Sequence, residues 1–304
     1  MFFYWHHICA MPQKSTNHII ILKPFKFHWY KLFQALSLDV VAGAVIFSLA
    51  IGRYYQVHVS WRILICLSIA TWIIYTFDHL LDAIKIRERA STYRHQFHQK
   101  YKQTLIIIAF ILLIVGIINM CYLPMTIIDI GLICIFFSLM YFFMLQKNSF
   151  WAKEFYIAII YTFGIFIGPI CLSQQTIQPI QWLLVPQVFL LVFSNLLIFS
   201  WFDFSKDKQD GHPSMVIHWG IKKAKKKITF ILTIGVVSCL SVLLLTVNEA
   251  TSVMQIILLL MYGTLILLFR KDHLFRKNDL YRIIGDGIFF IPLFFLLYAK
   301  FRQL

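Results

Sequence analysis

The sequence is poor in charge, and above all in acidic residues. Only 13% of its 304 residues are charged, and only 13 residues are Asp or Glu. Soluble domains carry about 25% charged residues, and disordered chains combine high charge with low hydrophobicity. Because 60% of this chain is hydrophobic, both classes are excluded. A membrane protein with several spans remains.

Cysteine patterns and flexible linkers are also missing. The six cysteines are scattered without a Cys-x-x-Cys pair, so they indicate neither a metal site nor a disulfide framework. No Gly/Ser-rich or long hydrophilic stretch divides the chain. The first 14 residues lack the basic region and apolar core of a signal peptide. We predict a single polytopic helical membrane domain over residues 1–304, of which 1–32 form a cytoplasmic N-terminal tail.

What the sequence has instead is a series of long apolar stretches. A membrane-spanning helix needs about 20 mostly apolar residues. None of the stretches shows the alternation of a barrel strand, and only helices or closed barrels satisfy the backbone in lipid. The predicted fold class is an all-α membrane protein with nine transmembrane helices around a central cavity. The nine stretches are 33–52, 61–81, 104–122, 125–146, 155–172, 181–202, 228–247, 252–269 and 285–300.

The basic residues fall on one side of this arrangement. Nine spans with a cytoplasmic N-terminus place 24 of the 28 Lys and Arg residues in cytoplasmic segments. This asymmetry is what the positive-inside rule predicts. The net charge of +15 therefore indicates a lipid bilayer as partner and no nucleic acid. We expect a multi-pass protein of a bacterial cytoplasmic membrane.

The few acidic residues form two matching pairs. Asp78 and Asp82 end the second predicted helix, and Asp203 and Asp207 end the sixth. A spacing of four residues puts both carboxylates of a pair on one helical face, where like charges repel and the helix dipole disfavours them. One such pair alone is typical of a solvated membrane boundary. Two pairs on helices that run in the same direction predict a shared site, in which Mg²⁺ neutralises the carboxylates and binds a substrate polyphosphate.

These residues resemble the UbiA superfamily of intramembrane prenyltransferases. Its members have nine helices and two motifs, NDxxDxxxD and DxxxD, after the second and sixth helices. The second motif and the residues after it match the family pattern at Asp203, Asp207, Gly211, Ser214, Gly220 and Ala224. Further positions that look like family positions are Tyr141, Lys147, Lys153, Glu154 and Asn195.

The first motif departs from the family pattern. Asp78 stands at the family's Asn, His79 at its next Asp, and Asp82 at its central Asp. Ile86 stands where the last Asp would be. Two potential ligands are therefore altered, which leaves the number of bound metal ions and catalytic activity open.

The resemblance implies a Mg²⁺-dependent transfer of a prenyl group from an isoprenyl diphosphate to a lipophilic, generally aromatic, acceptor. The active site would face the cytoplasm. Asp78, Asp82, Asp203 and Asp207 would be the catalytic metal ligands. The candidate substrate-binding residues are Arg87, Arg94 and Lys147 for phosphate oxygens, Tyr75 for the allylic cation, Asn195 for the acceptor, and Asp39 as a base or ligand.

Other interpretations stay open. Intramembrane acids are also typical of a transporter or channel, and the altered first motif is compatible with a degenerate family member that binds lipid without turnover. His95 and His98 have a spacing that suits a transition metal. Without an obvious third ligand, we interpret them as a solvated loop pair or a phosphate contact.

Overall fold

The structure is a computed structural model. It describes residues 29–85, 93–145, 151–174 and 176–302. All regular secondary structure in these ranges is helical. Two short 3₁₀ turns, Lys277–Asp279 and Ile288–Phe290, accompany the α-helices. The α-helices are α1 (Trp29–Ala35), α2 (Leu38–Tyr54), α3 (Trp61–Lys85), α4 (Tyr93–Lys100), α5 (Lys102–Met120), α6 (Met125–Leu145), α7 (Lys153–Leu172), α8 (Pro179–Trp182), α9 (Leu184–Asp210), α10 (Met215–Trp219), α11 (Ile221–Leu245), α12 (Glu249–Arg270), α13 (Asp272–Phe275), α14 (Leu280–Gly287) and α15 (Leu293–Arg302).

The number of spans agrees with the prediction. Among the described residues, eight helical segments are long and apolar enough to cross a membrane, and the bent pair α1 and α2 makes a ninth. Each of the nine predicted stretches coincides with one of these segments. The all-α, multi-spanning class is therefore confirmed.

Two spans are less regular than the sequence suggested. The prediction starts the first span at residue 33, but the helix breaks after Ala35 and the axes of α1 and α2 differ by 73°. Ser37, at the break, has a left-handed φ of 53°. The last span consists of α14, a 3₁₀ turn and α15, which begins just after Pro292. The helix is interrupted here because a proline lacks the amide hydrogen that continues a helix.

The helices close into a ring. Going around it, α2 packs against α7, α7 against α9, α9 against α11 and α11 against α12. The ring closes as α12 packs against α15 and α15 against α2. Its core contains fully buried residues such as Phe47, Leu191 and Met261.

Of the long spanning helices in the described residues, three lie outside the ring. α3 packs on α2 and α7, α5 packs on α3, and α6 packs on α7. Most of the apolar side chains on α5 and α6 are exposed, for example Phe110 and Phe136, each at 63%. In a spanning helix such residues face lipid, so these two helices form part of the lipid-facing surface.

Candidate functional site

The two acid pairs line one cavity. It has a volume of about 240 Å³ and is lined by side chains from α3, α4, α7, α9 and α14. Asp78 and Asp82 reach it from α3, and Asp203 and Asp207 reach it from α9. The structure therefore brings together the four carboxylates that the sequence singled out.

On the α3 side, each carboxylate has a partner from a neighbouring helix. The Tyr141 hydroxyl on α6 donates to Oδ1 of Asp78 at 2.7 Å. Nζ of Lys153, the first residue of α7, donates to Oδ2 of Asp82 at 3.2 Å. Asp78 and Asp82 are both buried, and buried carboxylates need such partners because burial removes their hydration.

On the α9 side, the carboxylate of Asp203 accepts two hydrogen bonds. The Tyr281 hydroxyl donates to Oδ1 at 2.6 Å and Nη2 of Arg282 donates to Oδ2. Both oxygens of Asp203 are thus in use. Asp207, one turn further along α9, is half-buried and lines the cavity with its side chain.

The ionisable side chains of the cavity do not balance. Among the described residues, seven acidic residues and five Lys or Arg residues line it. The lining is therefore net negative when all of these groups are ionised. The acids are Asp78, Asp82, Glu154, Asp203, Asp207, Asp279 and Asp286, and the bases are Lys31, Arg94, Lys153, Lys206 and Arg282.

Of the three predicted phosphate-binding cations, Arg94 lines the cavity. Its Nη1 lies 3.0 Å from Nε2 of His79. Burial and the nearby Arg282 lower the pKa of Arg94 from its usual value. Arg87 and Lys147 lie outside the described residues.

Aromatic rings line the cavity beyond the acids. Tyr75 lies one turn before His79 on α3, with 6.3 Å between the two ring centroids. Phe199 lies one turn before Asp203 on α9, and Phe289 follows α14. The apolar part of the cavity thus adjoins its acidic part directly.

The inner end of the cavity carries polar atoms that have no partner. Oδ1 of Asn195, the hydroxyl of Tyr161 and Oδ2 of Asp286 are buried and make no hydrogen bond within the described part of the chain. All three residues line the cavity. Asp39 is buried beside Asp286 at the start of α2 and is not among the residues that line the cavity. A bound molecule can supply the missing partners.

Glu154 links three helices at the edge of the cavity. Its Oε1 accepts a hydrogen bond from the Ser200 hydroxyl on α9 at 2.6 Å. Both carboxylate oxygens lie 3.2 Å from the amide nitrogen of Met215, the first residue of α10. Because Glu154 follows Lys153 on α7, these bonds hold Lys153 next to Asp82.

The two histidines after the second span do not form a solvated loop. His95 and His98 lie on α4, which packs against α3 and α5. His98 is only 1% exposed, so the solvated interpretation is wrong for this residue. Burial lowers the pKa of His95 to about 3 and that of His98 to about 4.

Three residues of the site were not singled out as ligands from the sequence. Lys153 was noted only as a position that looks like the family, and Arg282 was one of many cytoplasmic bases. Asp286 stands between Gly285 and Gly287 at the start of the last apolar stretch. An acid placed between two glycines at a span entrance is the signal that could have identified it.

Comparisons with known proteins identify the fold. No protein-family model matches the sequence, and no curated protein matches it significantly. A solved structure, a UbiA homologue from Archaeoglobus fulgidus bound to GPP and Mg²⁺, matches with a TM-score of 0.63 at 12% identity, over 89% of this chain and 98% of the other. The apo structure of a UbiA homologue from Aeropyrum pernix K1 matches with a TM-score of 0.65 at 12% identity, over 87% of this chain and 98% of the homologue.

This chain has the UbiA fold. The match covers nearly the whole length of each UbiA homologue, and the chain carries at least eight apolar helices of spanning length within its described residues. It is therefore a multi-pass integral membrane protein. At 12% identity, the likeness concerns the backbone architecture.

Proposed function

We propose that this chain is a member of the UbiA superfamily and a prenyltransferase, which transfers a prenyl group from an isoprenyl diphosphate to a lipophilic acceptor. The observation that carries the proposal is one cavity lined by two carboxylate pairs from α3 and α9. The A. fulgidus homologue of the same fold was solved with GPP and with DMAPP, each with Mg²⁺. The cationic side chains beside the carboxylates suit the diphosphate, and the aromatic rings suit the prenyl chain.

The donor set fits a magnesium ion. Hard oxygen ligands from one or two carboxylates, together with substrate phosphates, are what Mg²⁺ prefers. Asp78 accepts a hydrogen bond at Oδ1 and Asp82 accepts one at Oδ2, which leaves the second oxygen of each for a metal ion, and Asp207 is half-buried at the cavity. These three would hold the ion. Asp203, with both oxygens occupied, instead orients Arg282.

The reaction breaks the allylic C–O bond, and the diphosphate leaves with the electron pair. A bound Mg²⁺ would supply a Lewis acid for the negative charge on that leaving group. Arg94, Lys153 and Arg282 line the same part of the cavity. They bind the non-bridging oxygens of the diphosphate, with the two arginines suited to bidentate contact.

The allylic carbon must be shielded from water before the acceptor reaches it. Tyr75, Phe199 and Phe289 surround the cavity next to the acids. Their ring faces stabilise positive charge and their bulk excludes water. The acceptor then forms the new bond to this carbon and loses a proton.

The unpartnered atoms at the inner end fit the acceptor. Oδ1 of Asn195 is a hydrogen-bond acceptor, and the buried carboxyl of Asp286 adds another. Together with the Tyr161 hydroxyl, they favour an acceptor that carries hydroxyl groups.

The test is Mg²⁺-dependent turnover in purified protein. The wild type, reconstituted in nanodiscs, is incubated with Mg²⁺, labelled prenyl diphosphates of several lengths and a membrane-lipid extract. We expect a labelled lipophilic product. Asp82→Asn and Asp207→Asn should each lower the rate by about 100-fold, the usual order for a lost group that stabilises transition-state charge.

The matched control is Asp129→Asn, which alters an exposed acid that the predicted topology places at the opposite end of the molecule; its rate should stay at the wild-type level. Diphosphate binding without turnover in the wild type would support the lipid-binding interpretation and contradict the enzyme. A solute flux with no diphosphate binding would support a transporter.

The role of Asn195 is tested separately. In Asn195→Ala, the KM for the acceptor should rise about tenfold, because one buried hydrogen bond is worth about 1 kcal/mol or slightly more. The KM for the prenyl diphosphate should not change. Steady-state kinetics with each substrate varied in turn measure both. A rise confined to the diphosphate KM would contradict the assignment.

A further inference from the structure

Two histidines and a carboxylate meet beside the acid pairs. His95 on α4, Asp210 at the end of α9 and His212 just after it each offer a ligand atom, and these atoms all lie within 4.8 Å of one another. The ring centroids of His95 and His212 are 5.4 Å apart. None of the three belongs to the two aspartate pairs discussed above.

The end of α9 creates this arrangement. Gly211 caps the helix with a left-handed φ of 70°, a conformation that glycine adopts without strain. The amide of His212 then donates to the carbonyl oxygen of Asp207 at 2.8 Å. The chain reverses direction at this point, so the side chains of Asp210 and His212 can approach the same point.

The surroundings suit a metal ligand set. His212 is buried, and Nδ1 of His212 lies 4.0 Å from Oδ1 of Asp82, which could supply a further oxygen. Ligands about 2 Å from an ion lie about 3–3.5 Å apart, so side-chain shifts of about 1 Å close the site.

We propose that His95, Asp210 and His212 bind a divalent transition-metal ion such as Mn²⁺, Fe²⁺, Co²⁺ or Zn²⁺. Two imidazoles and one carboxylate favour these ions, whereas Mg²⁺ prefers oxygen ligands alone. The site is thus distinct in chemistry from the carboxylates that would hold Mg²⁺. It does not depend on the prenyl transfer proposed above.

The position of the site suggests what such an ion does. It adjoins Asp82, in the motif where Ile86 stands in place of the last family aspartate. An ion held by His95, Asp210 and His212 adds positive charge beside Asp82 and does not need an aspartate at position 86.

The test measures metal binding without any prenyl substrate. Chelator-treated protein in detergent is titrated with Mn²⁺ and followed by EPR and calorimetry, in the presence of excess Mg²⁺. We expect one Mn²⁺ per chain that Mg²⁺ does not displace, and pulsed EPR should detect couplings to histidine nitrogen. His95→Ala and His212→Ala should each weaken binding by tenfold or more, on the order of the loss caused by removing an outer-shell partner.

The matched control is His218→Ala, which removes an exposed histidine from α10 that stacks on Trp151; its Mn²⁺ affinity should equal that of the wild type. The nitrogen couplings are measured on the wild type, so they remain informative if a variant fails to fold. Absence of nitrogen coupling, or displacement of Mn²⁺ by Mg²⁺ in the wild type, would overturn the proposal. The prenyltransferase proposal would stand in either case.

Discussion

At the scale of single residues, the histidines near the acid pairs differ in how deeply they are buried. His98 and His212 are nearly inaccessible, whereas His218 is exposed. A buried imidazole loses the hydration of its charged form, so it resists protonation. For His95 and His98, the packing of the short helix α4 is therefore what lowers the pKa.

His98 gives a prediction for pH dependence. Its pKa is lowered to about 4 in the folded chain, compared with about 6.5 when unfolded. Between these values the unfolded chain takes up a proton that the folded chain does not, so the folded state loses stability as pH falls from about 6.5 towards 4. Burial and the charge of the Arg94 guanidinium oppose protonation of His98, whereas the hydrogen bond from its Nδ1 to the carbonyl oxygen of Arg94 at 2.9 Å favours it.

The measurement is the apparent melting temperature in detergent between about pH 7 and pH 5. Replacing His98 with Asn should make the decrease on acidification smaller than in the wild type. Parallel curves for wild type and His98→Asn would show that His98 does not contribute. His218→Asn, at an exposed position, should leave the decrease unchanged.

Single residues also mark how far the sequence could predict the site. The acid pairs were recognisable because acids are rare here and the same spacing occurs twice. Arg282 could not be recognised in this way, since residues 270–284 contain five bases that all satisfy the positive-inside pattern. Only the packing of α14 against α9, which brings Arg282 to Asp203, distinguishes this arginine from the other bases of the segment.

At the scale of elements, one glycine controls how closely two helices approach. A Cβ at Gly285 of α14 would lie 2.4 Å from Cε1 of Phe199 and 2.8 Å from Oδ1 of Asn195. Since both neighbours belong to α9 and line the cavity, this contact sets the width of the inner end of the cavity. Gly287, two residues further, has nothing within 4 Å of such a Cβ.

This pair of glycines gives a matched test. Gly285→Ala should destabilise the protein by about 1–3 kcal/mol through overpacking and should impair acceptor use. Gly287→Ala should be neutral or stabilising by about 0.5–1 kcal/mol, because alanine is the better helix former. Thermal unfolding in detergent measures both. Equal effects at the two positions would mean that the contact between α14 and α9 is not tight.

The elements themselves were predictable to different degrees. Composition and length identify each span, since lipid demands long apolar helices. The 73° bend between α1 and α2 was not foreseen, because no proline or glycine marks the left-handed Ser37. The predicted apolar stretch stops at residue 202, whereas α9 continues to Asp210, because polar residues end an apolar stretch without ending a helix.

At the scale of the whole molecule, the distribution of bases predicts orientation. The loop after α11 and the loop after α12 lie at opposite ends of α12, and Val247 and Lys271 in these loops are both exposed. The positive-inside rule places Lys271 in the cytoplasm and Val247 outside. The acid-lined cavity would then face the cytoplasm.

Cysteine labelling tests this orientation. In a background without the six native cysteines, Val247→Cys should react with an impermeant maleimide in intact cells. Lys271→Cys should react only after the cells are permeabilised. Because the two positions flank the same helix, the reverse pattern would invert the whole topology, and labelling of both in intact cells would mean that α12 does not cross the membrane.

Among the described residues, seven acids and five Lys or Arg residues line the cavity, and this excess of acids has a kinetic consequence for a prenyl diphosphate substrate. A bare diphosphate anion meets repulsion at such a site, whereas its complex with a divalent cation does not. The complex, not the anion, would then be the true substrate. Adding prenyl diphosphate in excess over the cation would slow turnover, and restoring the cation would relieve that inhibition.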